Sequence, residues 1–149
     1  MAKVRPEYEV NNEFNTMAAQ LVEKHSDKFY GIPVDRICCV NIINKDRPES
    51  KKGPVWDSMP VKMPMALHCA YGLYVTLYSS DWNAYTEKQK LLLVADILHT
   101  ISVDDAGNIK ILAMDTKGNS AMFRTFKGID YMDDPNSPNL LTDEIKWIK

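Results

Sequence analysis

Several features that would identify a class of protein are scarce or missing in this chain of 149 residues. It has only 3 cysteines, two of them adjacent (Cys38 and Cys39), which argues against a disulfide-stapled secreted scaffold. No apolar run approaches the roughly 20 residues that a transmembrane helix needs. Neither sign of charge dominates, because 18 Lys and Arg stand against 20 Asp and Glu. The sequence therefore does not predict a membrane protein, or a protein held to nucleic acid by its overall charge.

Targeting signals and common catalytic motifs are also missing. The N-terminal residues 1–6 are polar and include no apolar signal region. The sequence has no Gly-rich phosphate loop, no Cys-x-x-Cys pair and no nucleophile elbow. What is present, 45% apolar and 26% charged residues, is an ordinary globular composition. We therefore expect one intracellular, cytoplasmic domain that spans residues 1–149.

The hydrophobic pattern predicts a mixture of helices and strands. Apolar residues at three- and four-residue steps indicate a first helix over 7–27, and Asp115 and Gly128 could bound a last helix over 115–127. Apolar or β-branched runs indicate strands at 36–43, 65–69, 73–78 and 109–113. Between the last two strands, Thr86 and Gln89 form a capping-box pattern that precedes an apolar helix. That helix is apolar on nearly every face, so we expect it to be buried.

Two ionisable residues interrupt the apolar helix. Asp96 and His99 are three residues apart and so share a helix face. Burying such a pair costs free energy unless its polar atoms are satisfied. A hydrogen-bonded structural pair and a metal-binding or catalytic pair are both compatible with this spacing. His68, in the predicted strand 65–69, is expected to be partly buried and is a further candidate ligand. His25, near the end of the first helix, is expected to lie at the surface.

Two segments are candidates for binding. The stretch 44–64 is rich in proline and predicts a long exposed connection, in which Trp56 accompanies Lys51 and Lys52. An exposed Trp beside charged residues is a frequent interface anchor, although Trp56 could instead fold back over the core. Residues 129–149 predict an extended tail that carries Tyr131 and Trp147. We expect binding to involve these five residues.

The order of these features resembles the phage metallopeptidase domain family. The resemblance is carried by a strand, Asp81-Trp82, the run 86–90, the apolar helix and the acidic turn 104–108, and it extends from the first helix to about residue 141. It implies a zincin-like α+β fold, with a three- to four-stranded sheet packed by an N-terminal helix and the buried central helix. In that family the central helix ends in a His-Glu-x-x-His zinc motif, and a His-Asp pair follows a short strand.

Carried over residue by residue, the resemblance implies a degenerate site. The first zinc-binding His falls on Ala95, the catalytic Glu falls on Asp96, and only the second His remains, as His99. The downstream His falls on Met114, while its Asp partner remains as Asp115. Zinc sites use three or four nitrogen, sulfur or oxygen ligands. We therefore expect no catalysis and no cofactor, and zinc would be bound only if the site is not degenerate. An alternative is that His68, Asp96, His99 and Asp115 converge on a different metal, for which His99, Asp96 and His68 are the candidate ligands.

Three functions follow from these expectations. The first is a non-catalytic protein-binding module, of phage or prophage origin, that acts on a phage or host protein and could inhibit a bacterial defence system. The second is a metal-dependent hydrolase or peptidase with atypical ligands. The third is a nucleic-acid-binding accessory protein that uses the basic residues of the loop (Lys45, Arg47, Lys51, Lys52 and Lys62) and stacking by Trp56.

Overall fold

The computed structural model describes residues 5–47, 56–62, 64–104, 109–111, 138–143 and 145. These residues form a mixed α+β fold. Its helices are α1 (Asn12–Lys24), α2 (Ser26–Phe29), α3 (Ser79–Ala84) and α4 (Glu87–His99), and single 3-10 turns lie at Val34–Arg36 and Met65–Leu67. Its strands are β1 (Tyr8–Val10), β2 (Ile37–Ile42), β3 (Asp57–Pro60), β4 (Leu73–Tyr78), β5 (Ile101–Val103) and β6 (Ile109–Ile111).

Four strands form one mixed sheet in the order β1-β2-β4-β3. The two central strands, β2 and β4, are parallel, and each edge strand is antiparallel to its neighbour. Along β4, Leu73, Val75 and Leu77 are fully buried and alternate with half-buried residues, as expected for a strand with one core-facing side. The prediction of a three- to four-stranded sheet is confirmed, and a separate hairpin of β5 and β6 adds a second, small sheet.

Helices α1 and α4 contact each other and share one hydrophobic core with the sheet. Helix α1 is capped at its N-terminus by Asn11, whose side-chain oxygen accepts a hydrogen bond from the Phe14 amide at 3.0 Å. The predicted capping box of α4 is confirmed, because the Thr86 hydroxyl accepts from the Gln89 amide and the Gln89 side chain accepts from the Thr86 amide. All eight residues from 91 to 98 are buried, so the prediction of a buried central helix is also confirmed.

Three predicted elements differ from the structure in their bounds or type. The helix predicted over 7–27 begins only at Asn12, because residues 8–10 pair with β2 as an antiparallel strand. The strand predicted over 65–69 is not formed: residues 65–67 form a 3-10 turn in which Met65 and Leu67 are exposed. The connection 44–64 includes strand β3, which ends at Pro60; an edge position tolerates a proline because its missing N–H interrupts no central ladder.

The described part of the tail is packed rather than extended. Leu140 is fully buried in the core, and the Asn139 side chain accepts hydrogen bonds from the amides of Leu141 and Thr142 to form a turn. The Lys24 ammonium at the end of α1 donates to the Asp143 carbonyl at 2.6 Å. The rest of the tail prediction, the helix predicted over 115–127, residues 112–113 of the predicted fourth strand and most of the turn 104–108 lie outside the described residues. Within the described ranges, no helix has the length and hydropathy needed to cross a membrane.

Candidate functional site

The last turns of α4 carry Ala95, Asp96 and His99, the three residues that the sequence resemblance assigns to a degenerate zinc motif. Ala95 is fully buried, and Asp96 retains 5% of its exposure. His99 is the last residue of the helix and is half-buried. The prediction that Asp96 is buried is therefore confirmed, whereas His99 is less enclosed than the residues before it.

The His99 imidazole is held by the helix itself and by an aromatic neighbour. Its Nδ1 lies 2.7 Å from the Ala95 carbonyl oxygen, and since a carbonyl can only accept, Nδ1 carries the proton. The ring meets Phe29 edge to face, with 5.0 Å between ring centroids. Burial lowers the pKa of His99 to about 4, outweighing the opposing effect of the Ala95 hydrogen bond, and the nearby Lys28 charge lowers the pKa further. His99 is therefore neutral at pH 7.

His68 is not part of this arrangement. It follows the 3-10 turn between β3 and β4 and is exposed, so the prediction of a partly buried strand residue is wrong. Across the described ranges, which include His68, Asp96 and His99, no group of three or more His, Cys, Asp or Glu side chains could hold a metal ion. Met114 and Asp115 lie outside the described residues.

Trp56 lies in the hydrophobic core and is only 6% exposed. The prediction of an exposed binding residue is therefore wrong, and the alternative that Trp56 covers the core is confirmed. The residue comes directly before β3, whose pairing with β4 brings it to the main sheet. A buried indole cannot stack on a base, so Trp56 does not support nucleic-acid binding. Lys51, Lys52, Tyr131 and Trp147 lie outside the described residues.

Arg47, one of the basic residues assigned to a nucleic-acid surface, already has an acidic neighbour. Its Nε lies 3.3 Å from Asp81 Oδ2. This contact joins the residues after β2 to helix α3. Arg47 therefore has a structural partner that a phosphate would have to displace.

His25 is a buried residue that the sequence placed at the surface. Its Nε2 lies 2.7 Å from the Leu140 carbonyl oxygen and must donate to it. Its ring also approaches Phe29 edge-on, so Phe29 lies between two histidines. The four-residue spacing of His25 and Phe29 gives a local signal for this contact. The burial of His25 also depends on Leu140, which lies 115 residues further along the chain, and no pattern near His25 predicts that contact.

The two adjacent cysteines of β2 are unsuited to nucleophilic chemistry. Burial raises the pKa of Cys39, and the neighbouring Cys38 raises it further. Burial also raises the pKa of Cys38, with an added contribution from Cys69. Because the thiolate is the reactive form, both thiols are poor nucleophiles at neutral pH.

Comparisons of the chain with protein-family models, with curated proteins and with solved structures give no match.

Proposed function

We propose that the chain is a non-catalytic protein-binding module on a degenerate, zincin-like scaffold of the phage metallopeptidase type. The observation that carries the proposal is that Ala95, the residue to which the resemblance assigns the first zinc-binding His, is fully buried. A methyl group has no donor atom for a metal. Fold and function can separate, and a scaffold can keep its surface after losing its chemistry.

The two polar residues beside Ala95 support the same proposal. His99 uses Nδ1 to bond the Ala95 carbonyl and packs on Phe29, which are roles that stabilise the helix end. Asp96 is one methylene shorter than the Glu that serves as general base in the family. A displacement of a catalytic group by about 1 Å costs roughly 100-fold in rate. The pair therefore contributes to structure more readily than to hydrolysis.

The proposed partner is a phage or host protein in the bacterial cytoplasm, and inhibition of a host defence system is one form that such binding would take. The predicted contacts of Lys51, Lys52, Tyr131 and Trp147 remain part of this proposal, whereas the burial of Trp56 removes it from the binding surface. A peptidase with atypical ligands is the competing function, and the experiment below separates the two.

The experiment combines an activity assay with partner capture. Wild-type protein and His99→Ala are incubated with unfolded casein, with and without added zinc, and both are immobilised to capture partners from a bacterial lysate. We expect no zinc-dependent cleavage by either protein and the same captured partner with both. Zinc-dependent cleavage that His99→Ala abolishes would overturn the proposal. So would loss of capture in His99→Ala when circular dichroism shows an intact fold.

A further inference from the structure

Among the described residues, strand β1 has one side without a strand partner. It is the first strand in the sheet order β1-β2-β4-β3, and β2 occupies its other side. Across the described parts of the chain, no other strand pairs with β1. Such an edge presents backbone donors and acceptors that another chain can use.

The register with β2 identifies which backbone groups face this free edge. Glu9 is opposite Asn41, and the flanking bonds join the Ile43 amide to the Glu7 carbonyl and the Asn11 amide to the Cys39 carbonyl. In an antiparallel pair, alternate residues bond to the neighbouring strand. Residues 7, 9 and 11 thus bond to β2, so the N–H and C=O groups of Tyr8 and Val10 point away from the sheet.

The side chains along this edge differ in chemistry between the two faces of the sheet. Successive residues of a strand point to opposite faces, so Tyr8 and Val10 share one face and Glu7 and Glu9 share the other. Tyr8 and Val10 are 58% and 56% exposed, which is unusual for two large apolar residues on one short strand. Glu7 and Glu9 are also exposed. The free edge is therefore apolar on one face and acidic on the other.

We propose that the free edge of β1 binds an extended segment of a partner protein in which apolar and basic residues alternate. The segment adds a strand by bonding the backbone groups of Tyr8 and Val10, its apolar side chains pack beside those two residues, and its basic side chains lie beside Glu7 and Glu9. This inference rests on the proposed function as a protein-binding module and names the surface and the chemistry of the partner.

The same acidic face disfavours a second copy of this chain as the occupant. Two β1 strands bonded antiparallel through Tyr8 and Val10 would place Glu9 directly opposite Glu9 of the second copy. Opposite residues that are not hydrogen-bonded to each other have Cα atoms only about 4.5 Å apart. Like charges in such a pair are destabilising. Charge complementarity thus selects a basic segment over self-pairing.

The probe is a seven-residue peptide of alternating Val and Lys with blocked ends, and a Val and Glu peptide of the same length is its control. Binding is followed by changes in the backbone amide NMR signals of residues 8–11. We expect the Lys peptide to bind at least about 10-fold more tightly than the Glu peptide, since like charges oppose one and not the other. We expect Glu9→Lys to reduce this preference, because only Glu7 then remains acidic on that face.

A matched pair of variants tests the backbone bonds. Val10→Pro removes the N–H at the free edge without breaking a bond to β2, a position where an edge strand tolerates proline. Val10→Ala keeps the N–H and loses most of the side chain. Because one backbone bond is lost, we expect Val10→Pro to bind the Lys peptide about 5- to 10-fold more weakly than Val10→Ala.

The inference is overturned if neither peptide binds, if both bind equally, or if the Pro and Ala variants have the same affinity. It is also overturned by a concentration-dependent dimer that Val10→Pro abolishes, which would make a second copy the occupant.

Failure of this inference is distinct from failure of the proposed function. If wild type and Val10→Pro capture the same partner from the lysate, the β1 edge is not the binding surface, but the chain still acts as a binding module. Zinc-dependent cleavage of the Lys peptide would reject the binding module instead.

Discussion

The C-terminal half of α4 and strand β1 are two short segments that differ in how their polar groups are satisfied. In α4, Asp96 is buried and His99 is neutral, bonded to the helix and packed on Phe29. In β1, every side chain is exposed, and the backbone groups of two of its three residues, Tyr8 and Val10, face away from the sheet. Polar groups in the first segment belong to the folded core, whereas those in the second can exchange water for a partner. We therefore expect the C-terminal half of α4 to contribute to stability, and the proposed recognition to use β1.

The largest effect on stability is expected for a core residue that packs against α4. Phe29→Ala removes a fully buried ring that contacts both His25 and His99, and we expect it to lower the free energy of unfolding by about 3–5 kcal/mol. Urea unfolding followed by circular dichroism measures the change. Tyr30→Ala is the matched control, because Tyr30 is the next residue and is 89% exposed; its effect should stay within about 0.5 kcal/mol. Equal effects of the two variants would contradict the packing described here.

The pH dependence of stability tests the environment of His99. Its pKa of about 4 in the folded protein lies below the ordinary value near 6.5, so the unfolded chain binds more protons between these pH values. The stabilising contribution is complete above pH 6.5 and is lost as the pH falls towards 4. The free energy of unfolding of the wild type should therefore fall between pH 7 and pH 5. We expect this fall to be smaller in His99→Gln by about 1–2 kcal/mol.

His68→Gln is the control for this measurement, because His68 is exposed. It should leave the pH dependence of unfolding as it is in the wild type. A His99→Gln variant with the wild-type pH dependence would show that His99 is solvated.

A smaller effect tests the beginning of α4. Thr86→Ala removes the hydroxyl that accepts from the Gln89 amide, and we expect a loss of about 1 kcal/mol in the free energy of unfolding. Thr86→Ser keeps an accepting hydroxyl and should recover most of that loss. If both variants have the same stability, the hydroxyl does not cap the helix.

The smallest effects on stability are expected for the exposed side chains of β1. Tyr8→Ala and Val10→Ala change exposed side chains on an edge strand, so each should alter the free energy of unfolding by no more than about 0.5 kcal/mol. Both should nevertheless weaken binding of the alternating Val and Lys peptide. A large loss of stability would mean that β1 belongs to the core as α4 does.

The parts of the fold that local sequence could predict are those whose signals lie within a few residues. The capping box of α4, its buried stretch and strands β2 and β4 follow from residue patterns along one element. Strands β1 and β3 were missed because both depend on pairing with distant segments: Tyr8 is opposite Ile42, and Asp57 is opposite Thr76.

The same distinction holds for the candidate site. The burial of Asp96 follows from its apolar neighbours on α4. The burial of His25 and Trp56 depends on tertiary contacts, with Leu140 in one case and with the core formed by the sheet in the other. A local sequence pattern does not indicate which distant residues will make such contacts. The expectation that both residues are exposed was therefore wrong.

Zinc content tests most directly the central claim that α4 holds a structural pair and that the chain acts by binding. The protein is purified without chelators or nickel resin, dialysed against a small excess of zinc, freed of unbound metal and measured by elemental analysis beside His99→Ala. We expect no stoichiometric zinc in either protein, because Ala95 has no ligand atom at the position where the resemblance to phage metallopeptidases implies a histidine. About one zinc per wild-type chain, lost in His99→Ala, would contradict it.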